Sequence, residues 1–409
     1  MRRAIGFPGT ALLCGALLLA ACHDTPGEPA APARPLAAVA LADAGLGNPI
    51  PGLTSAQLAS FNRGKLLFEN EFTPGTGLGP AFNASSCAEC HGEPEEGGVT
   101  GAGGDEIETH FTNLRWDGSC DLLTSKGGFV RQDSVTPKLL AAFGLSSEPL
   151  PTTTHQRGSR TTVDVFGFGL LAAVPNQTLI NLSDPYDFNY DGISGRAHYL
   201  PNGDLGKFGR KAQEGSLTLF NAGALLQEMG ITNKFNPKEN QFGPYALPVG
   251  VDFTPDPEIS SSDFDDLNNF VLFLAPPPQL PLTTEAQAGK TLFSQTGCAS
   301  CHVPTLTTTD VGIAALSYKQ VSAFTDLLLH NMGSSRADIC LGDAGRAEFR
   351  TEPLMGLRFV ETFMHDGAAE TITDAILLHG GEGARARDRF LYNLTSTQRA
   401  ALLAYLQSL

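Results

Sequence analysis

Cys87-Ala88-Glu89-Cys90-His91 and Cys298-Ala299-Ser300-Cys301-His302 both spell C-x-x-C-H, about two hundred residues apart. A chain with 8 Cys and 9 His among 409 residues would carry about 0.003 such pentads by chance. Two of them are a pattern. A redox dithiol or half a zinc site uses C-x-x-C but does not call for a His directly after the second cysteine. The pentad is the attachment sequence of a c-type haem. Its two thiols add across the vinyl groups as thioethers, and its His binds the iron as proximal ligand. The expectation is two covalent haems, one on Cys87 and Cys90 with His91, the other on Cys298 and Cys301 with His302.

The beginning of the chain fits that chemistry. Met1-Arg2-Arg3 precedes a short apolar run, Ala11 to Ala21, which ends at Cys22. Such a start is an export signal, too short to span a membrane as a helix. Leu19-Ala20-Ala21-Cys22 resembles the bacterial lipobox, in which the cysteine is lipidated; the alternative is an ordinary cleaved signal with Cys22 a bystander. Bacteria attach haem after export, so a periplasm-facing lipoprotein is expected, at the outer membrane and held by lipid alone. The formal charge of −16 argues against nucleic acid and suits a basic electron carrier or a small neutral substrate. Two cysteines, Cys120 and Cys340, remain. In an oxidising compartment they either pair or lie separately buried.

Each pentad follows the same kind of segment. Thr54 to Phe68 and Thr283 to Phe293 open on Thr or Ser caps, continue at helical spacing and close on Gly64-Lys65-Leu66-Leu67-Phe68 and Gly289-Lys290-Thr291-Leu292-Phe293. This internal repeat predicts two cytochrome c modules, separated at Ala275-Pro276-Pro277-Pro278-Gln279-Leu280-Pro281. The expected organisation is a signal over 1–21, an Ala/Pro-rich tether over 22–48, an N-terminal haem domain with a large insertion over 49–278, and a C-terminal haem domain over 279–409. The fold class is mainly α: two cytochrome c-like haem domains with long ordered loops, residues 92–260 being Gly-rich and only intermittently helical. A helix around Ser396 to Gln407 should pack on the second module.

Several phrases carry a resemblance. They include Gly77-Leu78-Gly79-Pro80-Ala81-Phe82-Asn83-Ala84-Ser85-Ser86-Cys87, Phe166-Gly167-Phe168-Gly169-Leu170-Leu171, Asp191-Gly192-Ile193-Ser194-Gly195-Arg196, Asp326-Leu327-Leu328-Leu329-His330-Asn331-Met332-Gly333 and Met364-His365-Asp366-Gly367. Together they resemble the bacterial di-haem oxidoreductase family, related to di-haem cytochrome c peroxidases and to MauG, over most of the chain. In the peroxidase relatives a His-Asp-Gly phrase is followed fourteen residues on by the sixth ligand of the C-terminal haem, commonly Met. The resemblance therefore implies His379 as distal ligand here, on a helix capped at Thr371 and stopped by Gly380-Gly381. The first haem either stays five-coordinate or takes a removable ligand, for which His110 in a Gly-rich loop is the first candidate and His155 the second.

Two departures from the family phrase matter: Ala172 stands where an acid is usual and Arg210 where an aromatic is usual. A distal acid would help move a peroxide proton. Asp187, Asn189 and Asp191 with Gly192 read as the first half of a calcium loop or as a turn whose acids bond their own backbone. Trp116 is either a relay or, more ordinarily, a core residue. The implied function is a peroxidase-like di-haem oxidoreductase, its C-terminal haem relaying electrons from a periplasmic cytochrome or cupredoxin-like donor to the N-terminal haem, where hydrogen peroxide reacts. The alternative is a non-enzymatic di-haem electron carrier.

Overall fold

The computed structural model describes residues 45–100, 107–152 and 156–409. The export segment, Cys22, nearly all of the tether and His155 lie outside the described residues. Among the described residues eleven α-helices follow in order: α1 Ser55–Glu69, α2 Cys87–His91, α3 Pro137–Phe143, α4 Phe168–Ala172, α5 Asn176–Leu182, α6 Leu217–Met229, α7 Ser261–Phe273, α8 Thr284–Thr296, α9 Ile372–Leu378, α10 Ala384–Asp388 and α11 Ser396–Leu406. Nine short strands among the same described residues punctuate them: β1 Ala81–Phe82, β2 Ile107–Leu114, β3 Cys120–Asp121, β4 Ser134–Val135, β5 Gln156–Thr161, β6 Leu306–Thr307, β7 Gln320–Val321, β8 Leu329–Asn331 and β9 Glu348–Arg350. Among the described residues no helix is long and apolar enough to cross a membrane.

The repeated segment is a helix-crossing device. Thr54 caps α1 and Thr283 caps α8 through their side chains, as the sequence predicts. Helix α1 packs on α7 and α8 on α11. At each crossing the glycine of Gly-Lys-x-Leu-Phe lies against a carbonyl of the other helix. A Cβ on Gly64 would sit 1.9 Å from the Asp266 oxygen, and one on Gly289 would sit 1.9 Å from the Ala401 oxygen. The phenylalanine four residues on shares that helix face: Phe68 lies 4.9 Å from Phe270, and Phe293 lies 5.6 Å from Tyr405, between ring centres. Arg63 and Ser60 of α1 both donate to the Asp266 carboxylate of α7, which strengthens the first crossing. The larger apolar core takes side chains from both sides of the triple proline, Phe61 and Phe270 as well as Leu327 and Met355, while a smaller one gathers Phe293, Phe324, Leu402 and Tyr405.

A three-stranded sheet, ordered β3-β2-β5, departs from the loop-heavy expectation for residues 92–260. Antiparallel pairing sets His110 opposite Gly158. Hydropathy hides β5 because its inward residues are polar. Gln156 accepts from Thr112 Oγ1 at 2.9 Å and from the Cys340 backbone at 2.7 Å, and buried Arg160 pairs with Asp338. The period-2 alternation is present, written in hydrogen-bonded side chains rather than apolar ones.

Alanine favours helix over glycine by about 1 kcal/mol in an open position. Gly289→Ala should nevertheless lower the melting temperature by several degrees, since α8 and α11 must part to admit the methyl group. A melt unchanged or raised would show that the crossing is loose.

Candidate haem sites

Helix α8 stops at Gly297, whose φ of +97° turns the chain out of the helix. Cys298, Cys301 and His302 follow directly and line a cavity of about 370 Å³. Across it stands His379, the C-cap of α9, whose N-cap is Thr371. The Nδ1 atoms are spoken for on both rings: that of His302 lies 3.0 Å from the Phe324 carbonyl, that of His379 lies 2.7 Å from the Ala375 carbonyl. Donation from Nδ1 leaves Nε2 with its lone pair free for a metal. The ring centres are 6.4 Å apart. Two metal–imidazole bonds of about 2 Å, with roughly 1 Å from each nitrogen to its ring centre, span about 6 Å. Burial lowers both histidines' affinity for protons, His302 to about 4 with the facing His379 adding to the effect, so both rings are neutral, as ligation requires. The donor set suits a haem iron held between the two rings.

Around this cavity runs a buried polar chain. His330 on β8 meets Asp326 through Nε2 at 2.9 Å and Glu382 through Nδ1 at 2.8 Å, and its Nδ1 lies 3.7 Å from the Cys301 sulfur. Burial opposes a charge on His330, but the bonds to Asp326, the Cys301 sulfur and Glu382 outweigh it and raise its pKa to about 12. Glu382 also accepts from the backbone and hydroxyl of Ser194 at 3.0 and 2.9 Å and from the Asn331 backbone at 3.1 Å. Arg385 and Arg389 line the cavity and donate to the carbonyls of Asp191 and Thr296. Their guanidinium groups suit the carboxylates of a haem. The sequence reading passes over Glu382, whose only sequence signal is its place three residues after His379.

The first pentad forms α2, capped by Ser86, whose hydroxyl accepts from the Glu89 backbone at 3.1 Å. His91 repeats the arrangement of the second site: its Nδ1 lies 3.3 Å from the Gly98 carbonyl, and burial lowers its pKa. His110 stands in strand β2, not in a Gly-rich loop, buried with Nε2 2.9 Å from Glu108 Oε2. That nitrogen is therefore engaged by a carboxylate. Burial works to neutralise Glu108, but the bond to His110 and the surrounding charges override it and hold its pKa below the ordinary value; its charge in turn reaches His91. Ala172 is the last residue of α4. Arg210, in the place usual for an aromatic, lines the same cavity as His302 and His379 and pairs with Glu352 at 2.9 Å. Trp116 corrects the core expectation: it is 98 % exposed, in the turn between β2 and β3.

Residues 146–409 match the family described as "Di-haem oxidoreductase, putative peroxidase". The chain belongs to this family. A cytochrome c551 peroxidase of Nitrosomonas europaea is 25% identical over 95 residues, which make up 23% of this chain and 27% of that relative. The match thus spans about a quarter of either protein. Among solved structures, a hydrazine synthase of Kuenenia stuttgartiensis is 16% identical with a TM-score of 0.41, covering 98% of this chain and 100% of that one. The diheme peroxidase BthA of Burkholderia thailandensis is 16% identical with a TM-score of 0.40, covering 90% and 88%.

Membership in the di-haem oxidoreductases implies two haems, and the two pentads with their seated histidines are where this chain offers to hold them. Elsewhere in the di-haem oxidoreductase, the oxygens of the Asp187 loop serve the loop itself. Asp187 accepts from the backbones of Asp191 and Gly192, Asn189 from Asp191, and Asp191 from Ile193. Cys120 and Cys340 form a disulfide with Cα atoms 5.8 Å apart, joining β3 to the segment beside Asp338. Four other acids, Glu239, Asp252, Asp256 and Glu258, bring carboxylate oxygens within 4.8 Å of one another. Burial, followed by the repulsion of its three neighbours, raises Glu239 to about 8.

A carboxyl whose folded-state pKa is raised costs nothing below its ordinary pKa and destabilises increasingly as the pH climbs toward the folded value. Glu239→Gln should therefore raise the melting temperature at pH 8 and leave it unchanged at pH 4. An equal shift at both values would contradict a strained charge at Glu239.

Proposed function

We propose that the chain reduces hydrogen peroxide, or another small oxidant, on the side of His91, using electrons admitted on the side of His302. Peroxide reduction takes two electrons and two protons and yields two waters. Two c-type haems, when bound, supply the one-electron redox centres. The residues that hold them in this reading are Cys87, Cys90 and His91 at the first, and Cys298, Cys301, His302 and His379 at the second. The facing pair His302 and His379 carries the reading: if both rings held the second iron, they would close it to oxidants and suit it to relay. At the first site His91 is the one pentad histidine seated in this way among the described residues, and the carboxylate whose charge reaches it is Glu108, which its bond to His110 keeps ionised and which would serve as a proton acceptor in the absence of an acid at Ala172. Ligation by His379 rather than by a Met would lower the reduction potential of a haem held there.

The donor is a periplasmic cytochrome or cupredoxin-like protein, consistent with the acidic chain, and the protein is exported and lipidated at Cys22. Calcium at Asp187, Asn189 and Asp191 would share oxygens that also accept from their own loop. A second reading, a non-enzymatic electron carrier, is favoured by one observation, the alanine at 172.

Electron paramagnetic resonance of the oxidised and half-reduced protein separates the two. One low-spin haem and one that turns high-spin or binds cyanide is the result expected. Two low-spin haems that bind nothing in any redox state would leave only the carrier. His379→Ala should convert the second haem to a cyanide-binding form, and Cys298→Ser with Cys301→Ser should halve the haem that survives denaturing electrophoresis.

A further inference from the structure

The two imidazoles of the second site come from segments 77 residues apart in sequence (302 to 379), and neither belongs to the other's helix. Something must set the gap between them. His302 is held by the Phe324 carbonyl. Two residues on, Asp326 bonds His330, His330 bonds Glu382, and Glu382 lies three residues beyond His379. The path from one ring to the other is thus a continuous run of short chain and hydrogen bonds around one side of the cavity.

Backbone packing supports the far end of the run. Residues 380 and 381 lie on the edge of β8: a Cβ on Gly381 would sit 2.0 Å from the Asn331 oxygen, and one on Gly380 would sit 2.7 Å from that of Met332. Glu382 then clamps two other segments, one through Ser194 and strand β8 through His330 and Asn331, with both of its oxygens used twice. Gly383 completes the seat, since a Cβ there would meet the His379 ring at 3.1 Å. Each hydrogen bond of the run is made inside the protein, so removing one member leaves another unsatisfied.

We propose that Asp326, His330 and Glu382 form a strap that fixes the spacing of His302 and His379, with Glu382 as the residue that positions the distal imidazole. The strap touches the iron nowhere; it acts through the ligands, as outer hydrogen bonds commonly do at metal sites. Loosening it should let His379 leave the iron while the proximal ring stays. The proposal rests on the reading of His379 as distal ligand, and the experiment keeps the two apart.

The test uses the full holoprotein and reads the low-spin signal of the second haem, the rate of cyanide binding, haem content and the thermal melt. His379→Ala is the reference for a lost ligand. Glu382→Ala should reproduce it, losing most of the low-spin signal and binding cyanide at the second haem, with two haems still attached. Ser194→Ala removes one bond of the clamp and should speed cyanide binding about fivefold, the effect of one net hydrogen bond; it decides the matter if Glu382→Ala fails to mature. If His379→Ala leaves the signal unchanged, the ligand reading fails and the strap with it. If His379→Ala abolishes the signal but neither Glu382→Ala nor Ser194→Ala binds cyanide faster than the parent, the strap is overturned and the ligand reading stands.

Discussion

A ring N–H given to a backbone carbonyl is the interaction on which both haem sites depend. His91, His302 and His379 each place Nδ1 against a carbonyl of their own neighbourhood, Gly98, Phe324 and Ala375. The bond fixes which nitrogen carries the proton and how the ring is turned. It also removes the cost of burying an unpaired donor. The local structure is arranged to make it: Gly297 frees the second pentad from α8, and α9 ends where the His379 ring can reach back one turn to Ala375.

Those carbonyls hold still only because the helices beneath them do. The glycine crossings at Gly64 and Gly289 bring α1 onto α7 and α8 onto α11, and each places a phenylalanine on an aromatic of its partner. One sequence device thus does the same work before each pentad. Around the second site the support changes character and becomes ionic, with Arg210, Arg350 and Glu352 paired beside the cavity. Paired charges of this kind orient neighbours more than they stabilise the fold.

How much of this was legible in the sequence follows from which residues carry the signal. The caps Thr54, Thr283 and Thr371 and the final helix could be read because a hydroxyl before a periodic run has a local meaning. Strand β5 could not, since Gln156 and Arg160 fill its inward positions and only their partners, Cys340 and Asp338, explain the burial. His110 reads as a loop residue for the same reason: its strand pairs along β5, which hydropathy hides. Trp116 follows the general size rule for burial in no way, and nothing in the structure explains its exposure. The strap of Asp326, His330 and Glu382 was the least accessible, because 52 residues separate the last two members.

The disulfide between Cys120 and Cys340 sets a sorting problem for maturation. If thioether bonds form at the pentads, four thiols must be reduced when haem arrives, while two others in the same compartment must be oxidised and stay so. The pentad pairs are neighbours in sequence and only partly buried, whereas Cys340 is 4% exposed and its partner lies 220 residues away. Exposure does not separate the two classes, since Cys120 is as partly buried as the pentad cysteines; spacing along the chain does. The bond across 220 residues needs the fold to bring its sulfurs together, whereas the thiols of each pentad are neighbours before any folding.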